Sequence, residues 1–113
     1  MNRIHEDNNG IFVNALNDTN EADSSSGHHY QIGWGAGSVM VDFQKGPVQE
    51  NGVNGVTNES LLAILIHRTK ELNNQYPCRE NAIAITKMEE ALMWFDKRTA
   101  DRIERNVEGT DQT

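Results

Sequence analysis

The spacing of apolar positions changes character twice along this chain. Through residues 1–27 polar side chains dominate, mainly Asn, Asp and Ser. The short run Ile11, Phe12, Val13, Ala15 and Leu16 interrupts them and reads as a short helix or an adhesive segment. The tract DTNEADSSSG that follows reads as a solvated linker. From Tyr30 the period becomes two: Tyr30, Ile32 and Trp34 alternate with Gln31 and Gly33. Val39 to Phe43 is a second β-branched run. The pattern predicts a β-hairpin of 29–34 and 39–43 around a four-residue turn, Gly35-Ala36-Gly37-Ser38.

Beyond a glycine-spaced loop, 44–58, the period becomes that of a helix. Thr57 or Asn58 is the expected N-cap, with Glu59 in the first turn. Leu61, Leu62, Leu65, Arg68, Thr69 and Leu72 share one face of a first helix, roughly 58–73. Ala63, Ile64 and Ile66 make its first half apolar nearly all round, which predicts burial on several sides. Asn73-Asn74-Gln75-Tyr76-Pro77 ends it. A second helix then runs from about Cys78 to Arg105, with Ile85, Met88, Leu92, Phe95 and Thr99 on one stripe. The short connection predicts an antiparallel helical hairpin. At about 1.5 Å per residue the second helix is roughly 40 Å long. A compact domain of this size has a radius of gyration of only about 13 Å. Part of the helix's apolar face is therefore expected to meet another subunit. The expected fold is mainly α: a β-hairpin, then an antiparallel helical hairpin, assembled as a homo-oligomer. Residues 28–113 form its single domain. For the polar segment 1–27 a lid, an interface arm and disorder are all open readings.

Composition narrows the function. The chain has 113 residues, 36% of them hydrophobic, with a mean hydropathy of −0.68. That is thin material for a self-sufficient core. Most of the net charge of −7 lies in the first 43 residues, where six acids face Arg3 alone. This balance argues against a binder of nucleic-acid polymers, which needs a broad positive face. With Cys78 as the single cysteine, no internal disulfide can form. The start, MNRIHEDNNG, has no apolar signal region. The longest apolar run, Leu61 to Ile66, is too short to span a bilayer. A reducing, cytoplasmic setting without membrane contact is the expectation.

Candidate chemistry concentrates on the second helix. Arg98, Arg102 and Arg105 recur at steps of four and three and lie on one line. Arginine holds phosphate with a fork of donors and stacks on flat bases. Asp101 and Glu104 lie between these cations, so an ion-paired, solvated helix end is the competing reading. Arg79 and Asn81 open the same helix, where backbone N–H groups favour anions. The loop 44–58 could turn several N–H groups toward one anion, or simply carry the chain from hairpin to helix. Glu89, Glu90 and Asp101 invite a magnesium-dependent nucleotide hydrolase, but the first helix offers only Glu59 and Glu71 opposite them. His28 and His29 alternate faces if extended and make a weak metal pair. Cys78 and His67 have no evident orienting partner for nucleophilic catalysis. No catalytic residue, metal site or cofactor is expected.

Several ordered markers in residues 43–110 carry a family resemblance: GP, GVNG followed by TNE, CREN, EAL with Trp two residues on, RT followed by DR, and VEGT. The segment resembles the helical-hairpin family shared by phage Thoeris anti-defence and anti-CBASS sponge proteins. The resemblance implies a non-enzymatic protein of the host bacterial cytoplasm. It would sequester cyclic nucleotide immune signals, either glyco-cyclic ADP-ribose forms or cyclic di- and trinucleotides, without cleaving them. It also implies dimers or hexamers with pockets between protomers. Asn81 of CREN, with Arg98 and Arg102 of RTADR, match a pocket for ADP-ribose-type ligands, and Arg105 extends the row. Tyr76 or Phe12 would supply a stacking ring. A second pocket, for cyclic oligonucleotides, would use Asn54, Gly55, Thr57 and Asn58, with Arg79 nearby. The alternatives from other classes are the magnesium-dependent hydrolase and a purely structural oligomerisation module.

Overall fold

The computed structural model describes residues 2–16, 27–106 and 109–110. It divides into two compact units: residues 1–45 with 51–56, and residues 46–50 with 57–113.

The first unit is a four-stranded antiparallel sheet in the order β1-β2-β3-β4. The strands are β1 (Asn2–Glu6), β2 (Phe12–Leu16), β3 (His29–Trp34) and β4 (Gly37–Asp42). The fold is thus mixed rather than mainly α, with helix making up about half of the described residues. The predicted hairpin forms, but around Gly35-Ala36 alone. Trp34 pairs directly with Gly37, so Gly37 and Ser38 belong to β4. The correction at the front is larger. Phe12 to Leu16 is a strand, not a short helix, and it pairs with β1 on one side and β3 on the other. Pairing with neighbours outweighs local propensity here, as is usual for sheets. Asp7 shapes the β1–β2 turn: its Oδ1 accepts the N–H groups of Asn9 at 2.8 Å and Ile11 at 3.0 Å. The linker read at DTNEADSSSG lies largely outside the described residues.

One sheet face is tied by polar groups. Asn14 is 3% exposed; its Oδ1 accepts from Arg3 Nε at 2.9 Å, and its Nδ2 donates to Gln31 at 3.3 Å. The Arg3 guanidinium also lies 4.1 Å over the Phe12 ring. That ring covers Gly33, where a Cβ would overlap it.

The second unit contains α1 (Val48–Asn51) except its last residue, α2 (Asn58–Gln75) and α3 (Arg79–Glu104). The long helices match the predicted ones within a few residues, and α1 is a single turn inside what read as loop. Thr57 caps α2 with a full capping box, exchanging hydrogen bonds with Ser60. Cys78 caps α3, its Sγ accepting the Asn81 N–H at 3.4 Å. On α3 the predicted stripe Ile85, Met88, Leu92, Phe95 and Thr99 is the half-buried one. On α2 the inner line is Leu62, Ile66, Thr69 and Asn73, while Leu65, Arg68 and Leu72 are exposed. An N-terminal half that is apolar nearly all round gives periodicity no single face to choose. Lys70 and Glu89 bridge the two helices at 3.0 Å. No helix among the described residues is long and apolar enough to cross a membrane.

Candidate functional site

The C-terminal half of α3 builds a groove of about 250 Å³ lined by Trp94, Lys97, Arg98, Asp101, Arg102 and Arg105. Its lining includes four cations and one acid. Lys97 Nζ lies 3.4 Å from Asp101 Oδ2, so a lysine already matches the acid. Arg98 and Arg105 are exposed, and Trp94 is 63% exposed beside them. Arg102 is different, at only 4% exposure. It is the next step of the inner stripe after Phe95 and Thr99, so it belongs to the packed line and the cationic line at once. Its Nη2 donates to the Thr110 carbonyl at 2.9 Å. Guanidinium forks beside an exposed indole can hold phosphate and stack a flat base. Lys97 and Thr110 were missed as lining and partner in the sequence. The i+3, i+4 and i+7 steps from Trp94 to Lys97, Arg98 and Asp101 carry the signal for Lys97. No local pattern ties Thr110 to Arg102.

The N-terminal end of α3 carries a second open groove of about 480 Å³, lined by Arg79, Ala82, Ile83, Thr86 and Lys87. Asn81, at the same end of α3, is half-buried and is not among those lining residues. It lies 17 residues before Arg98 on one continuous helix, or roughly 25 Å along the axis. One chain therefore does not bring Asn81 beside the arginines. Tyr76 is 73% exposed at the C-cap of α2, whereas Phe12 is covered by Arg3 in the sheet.

The loop residues expected at a second pocket have internal tasks. The Asn54 side chain accepts the Lys45 N–H and donates to the Lys45 carbonyl, each at 2.8 Å. Its backbone N–H donates to Gln44 Oε1 at 2.9 Å. Gly55 lies so close to the backbone of Asp42 and Phe43 that a Cβ would overlap it. Thr57 is spent on the cap, and Asn58 is the first residue of α2. The GVNG segment thus closes the sheet unit, with a parallel bridge between Phe43 and Val56.

The carboxylates of the hydrolase reading are dispersed. Glu89 pairs with Lys70, Glu90 approaches Lys87 at 4.0 Å, and Asp101 pairs with Lys97. Asp101 lies roughly 16 Å along the axis from Glu90. Among the described residues no group of three or more His, Cys, Asp or Glu could hold a metal ion.

Residues 36–100 match the family described as the Acb2/Tad1 hairpin domain. The chain belongs to this family. It is also similar to Thoeris anti-defense 1 of Bacillus phage SBSphiJ7, at 59% identity over 75 residues. That similarity covers 66% of this chain and 53% of the relative, so the chain spans about half the length of the curated protein it matches. The family span takes in Asn81 and Arg98, the two ends of the expected pocket, and stops before Arg102 and Arg105.

Proposed function

We propose that this chain is a phage-encoded sponge. It binds cyclic nucleotide immune signals and holds them uncleaved in the cytoplasm of the host bacterium, so that Thoeris or CBASS effectors are not activated. The groove at the end of α3 carries this reading: Arg98, Arg102 and Arg105 present a cationic row beside the exposed ring of Trp94. Family membership and the Thoeris anti-defence relative support the biological setting.

The pocket that joins Asn81 to Arg98 takes two copies of the chain, because one helix holds them at opposite ends. Exposed apolar residues on both long helices support such an assembly, among them Ile64 at 61%, Leu65 at 49% and Ile83 at 42%. The role is binding without catalysis. The ligand phosphates meet arginine forks, and Glu89, Glu90 and Asp101 each lie beside a lysine. Cyclic oligonucleotides are the second ligand class, with Arg79 and Lys87 at the other groove as their cations.

The experiment is equilibrium binding of glyco-cyclic ADP-ribose, a cyclic dinucleotide and a cyclic trinucleotide to the purified protein, with melting temperature and mass in solution followed in parallel. Tight binding to the folded state raises the melting temperature. No binding and no shift with any of the three would leave a structural oligomerisation module.

A further inference from the structure

The Thr110 carbonyl occupies one donor of the most buried cation on α3. Arg102 is 4% exposed, yet it also lines the groove with Arg98 and Arg105. The turn that brings Thr110 to it is fastened at a second point. Gln49 of α1 donates its N–H to the Gly109 carbonyl at 3.0 Å. Gly109 has φ +82°, and a Cβ there would lie 2.9 Å from Gln49 Cγ. Both conditions call for glycine.

A guanidinium has five N–H donors in one rigid plane. Anchoring Nη2 on a fixed carbonyl fixes that plane, and with it the edge of Arg102 that lines the groove. Arg102 is thereby set before a ligand arrives, and less of the binding energy is lost in ordering it. We infer that the Gly109–Thr110 turn is a positioning element of the arginine groove, orienting Arg102 toward the phosphate of the bound cyclic nucleotide. This rests on the function proposed above. It places residues after α3, beyond the family span, in the working of the site.

The test is a double-mutant cycle on the full chain with Gly109→Val, Arg102→Lys and both together. The probes are glyco-cyclic ADP-ribose and a cyclic trinucleotide. Ending the chain after Asn106 is the second way to remove the turn. At metal sites, removing the partner that orients a ligating side chain costs roughly 10- to 100-fold in affinity. Gly109→Val strains a left-handed backbone position and is expected to lower the melting temperature while the mass in solution stays unchanged, and to bind at the low end of that range, about tenfold more weakly. The double variant is expected to bind no more weakly than Arg102→Lys alone, because a lysine ammonium has no plane to fix. Unchanged affinity in both Gly109→Val and the shortened chain, or losses that simply add, overturns the inference and leaves the sponge reading standing. Failure of the wild-type chain to bind these two probes and a cyclic dinucleotide as well overturns the sponge reading and this inference with it.

Discussion

Lys97 and Asp101 lie one turn apart on α3 and hold each other at 3.4 Å. The acid lining the groove is thus answered by a lysine, and Arg98 has no ion-pair partner among the described residues. Removing the acid should therefore strengthen binding of an anion. Asp101→Asn is expected to tighten cyclic nucleotide binding several-fold, and isothermal titration at low and high salt checks this. The gain should shrink as salt screens the charge.

Arg98→Ala should act in the opposite sense. A hydrogen bond to a charged group contributes about 1.5–3 kcal/mol, so affinity should fall by roughly 10- to 100-fold. The mass in solution should not change, because the side chain is exposed rather than packed. Titration and sedimentation together read both quantities. Unchanged affinity would remove Arg98 from the pocket.

Asn54 gives a separable result. Replacing it with Ala deletes the two 2.8 Å bonds that tie it to Lys45. Each is worth about 0.5–1.5 kcal/mol, so urea denaturation should show a loss of roughly 1–3 kcal/mol. If Asn54 instead contacts ligand, the variant will keep its stability and lose affinity for the cyclic trinucleotide.

Gly33 tests the sheet. The Phe12 ring occupies the space a side chain would need. Gly33→Ala should destabilise the chain by about 1–3 kcal/mol, the usual cost of overpacking. Adding Phe12→Leu should return part of that loss, since the two effects share one contact. Thermal melts of the two single variants and the double variant measure the coupling.

The helical hairpin was legible because its signals are local. The stripe from Ile85 to Thr99, the cap at Thr57 and the Pro77 break each lie within a few residues of what they determine. The sheet was half legible. β3 shows its period, whereas β1 (NRIHE) is exposed throughout and carries no apolar face to read. It exists through its pairing with β2. The arginine row was visible from spacing, but not the split within it. Arg102 falls on the inner stripe as well, and its partner Thr110 lies eight residues further on, beyond the end of the helix, where no helical spacing points to it. GVNG read as a possible anion cradle because glycine spacing looks the same whether backbone is cleared for a ligand or for neighbouring backbone. Gly55 against Phe43 is the second case.

A sponge retains its ligand without converting it. The direct measurement is to load the protein with glyco-cyclic ADP-ribose and with a cyclic trinucleotide, remove free ligand, heat-denature the protein and identify what it releases by mass spectrometry. A sponge should release at least one of the two at its original mass and in stoichiometric amount, with or without chelator present. Release of a hydrolysed product, suppressed by chelator, would contradict the sponge reading and make this chain an enzyme.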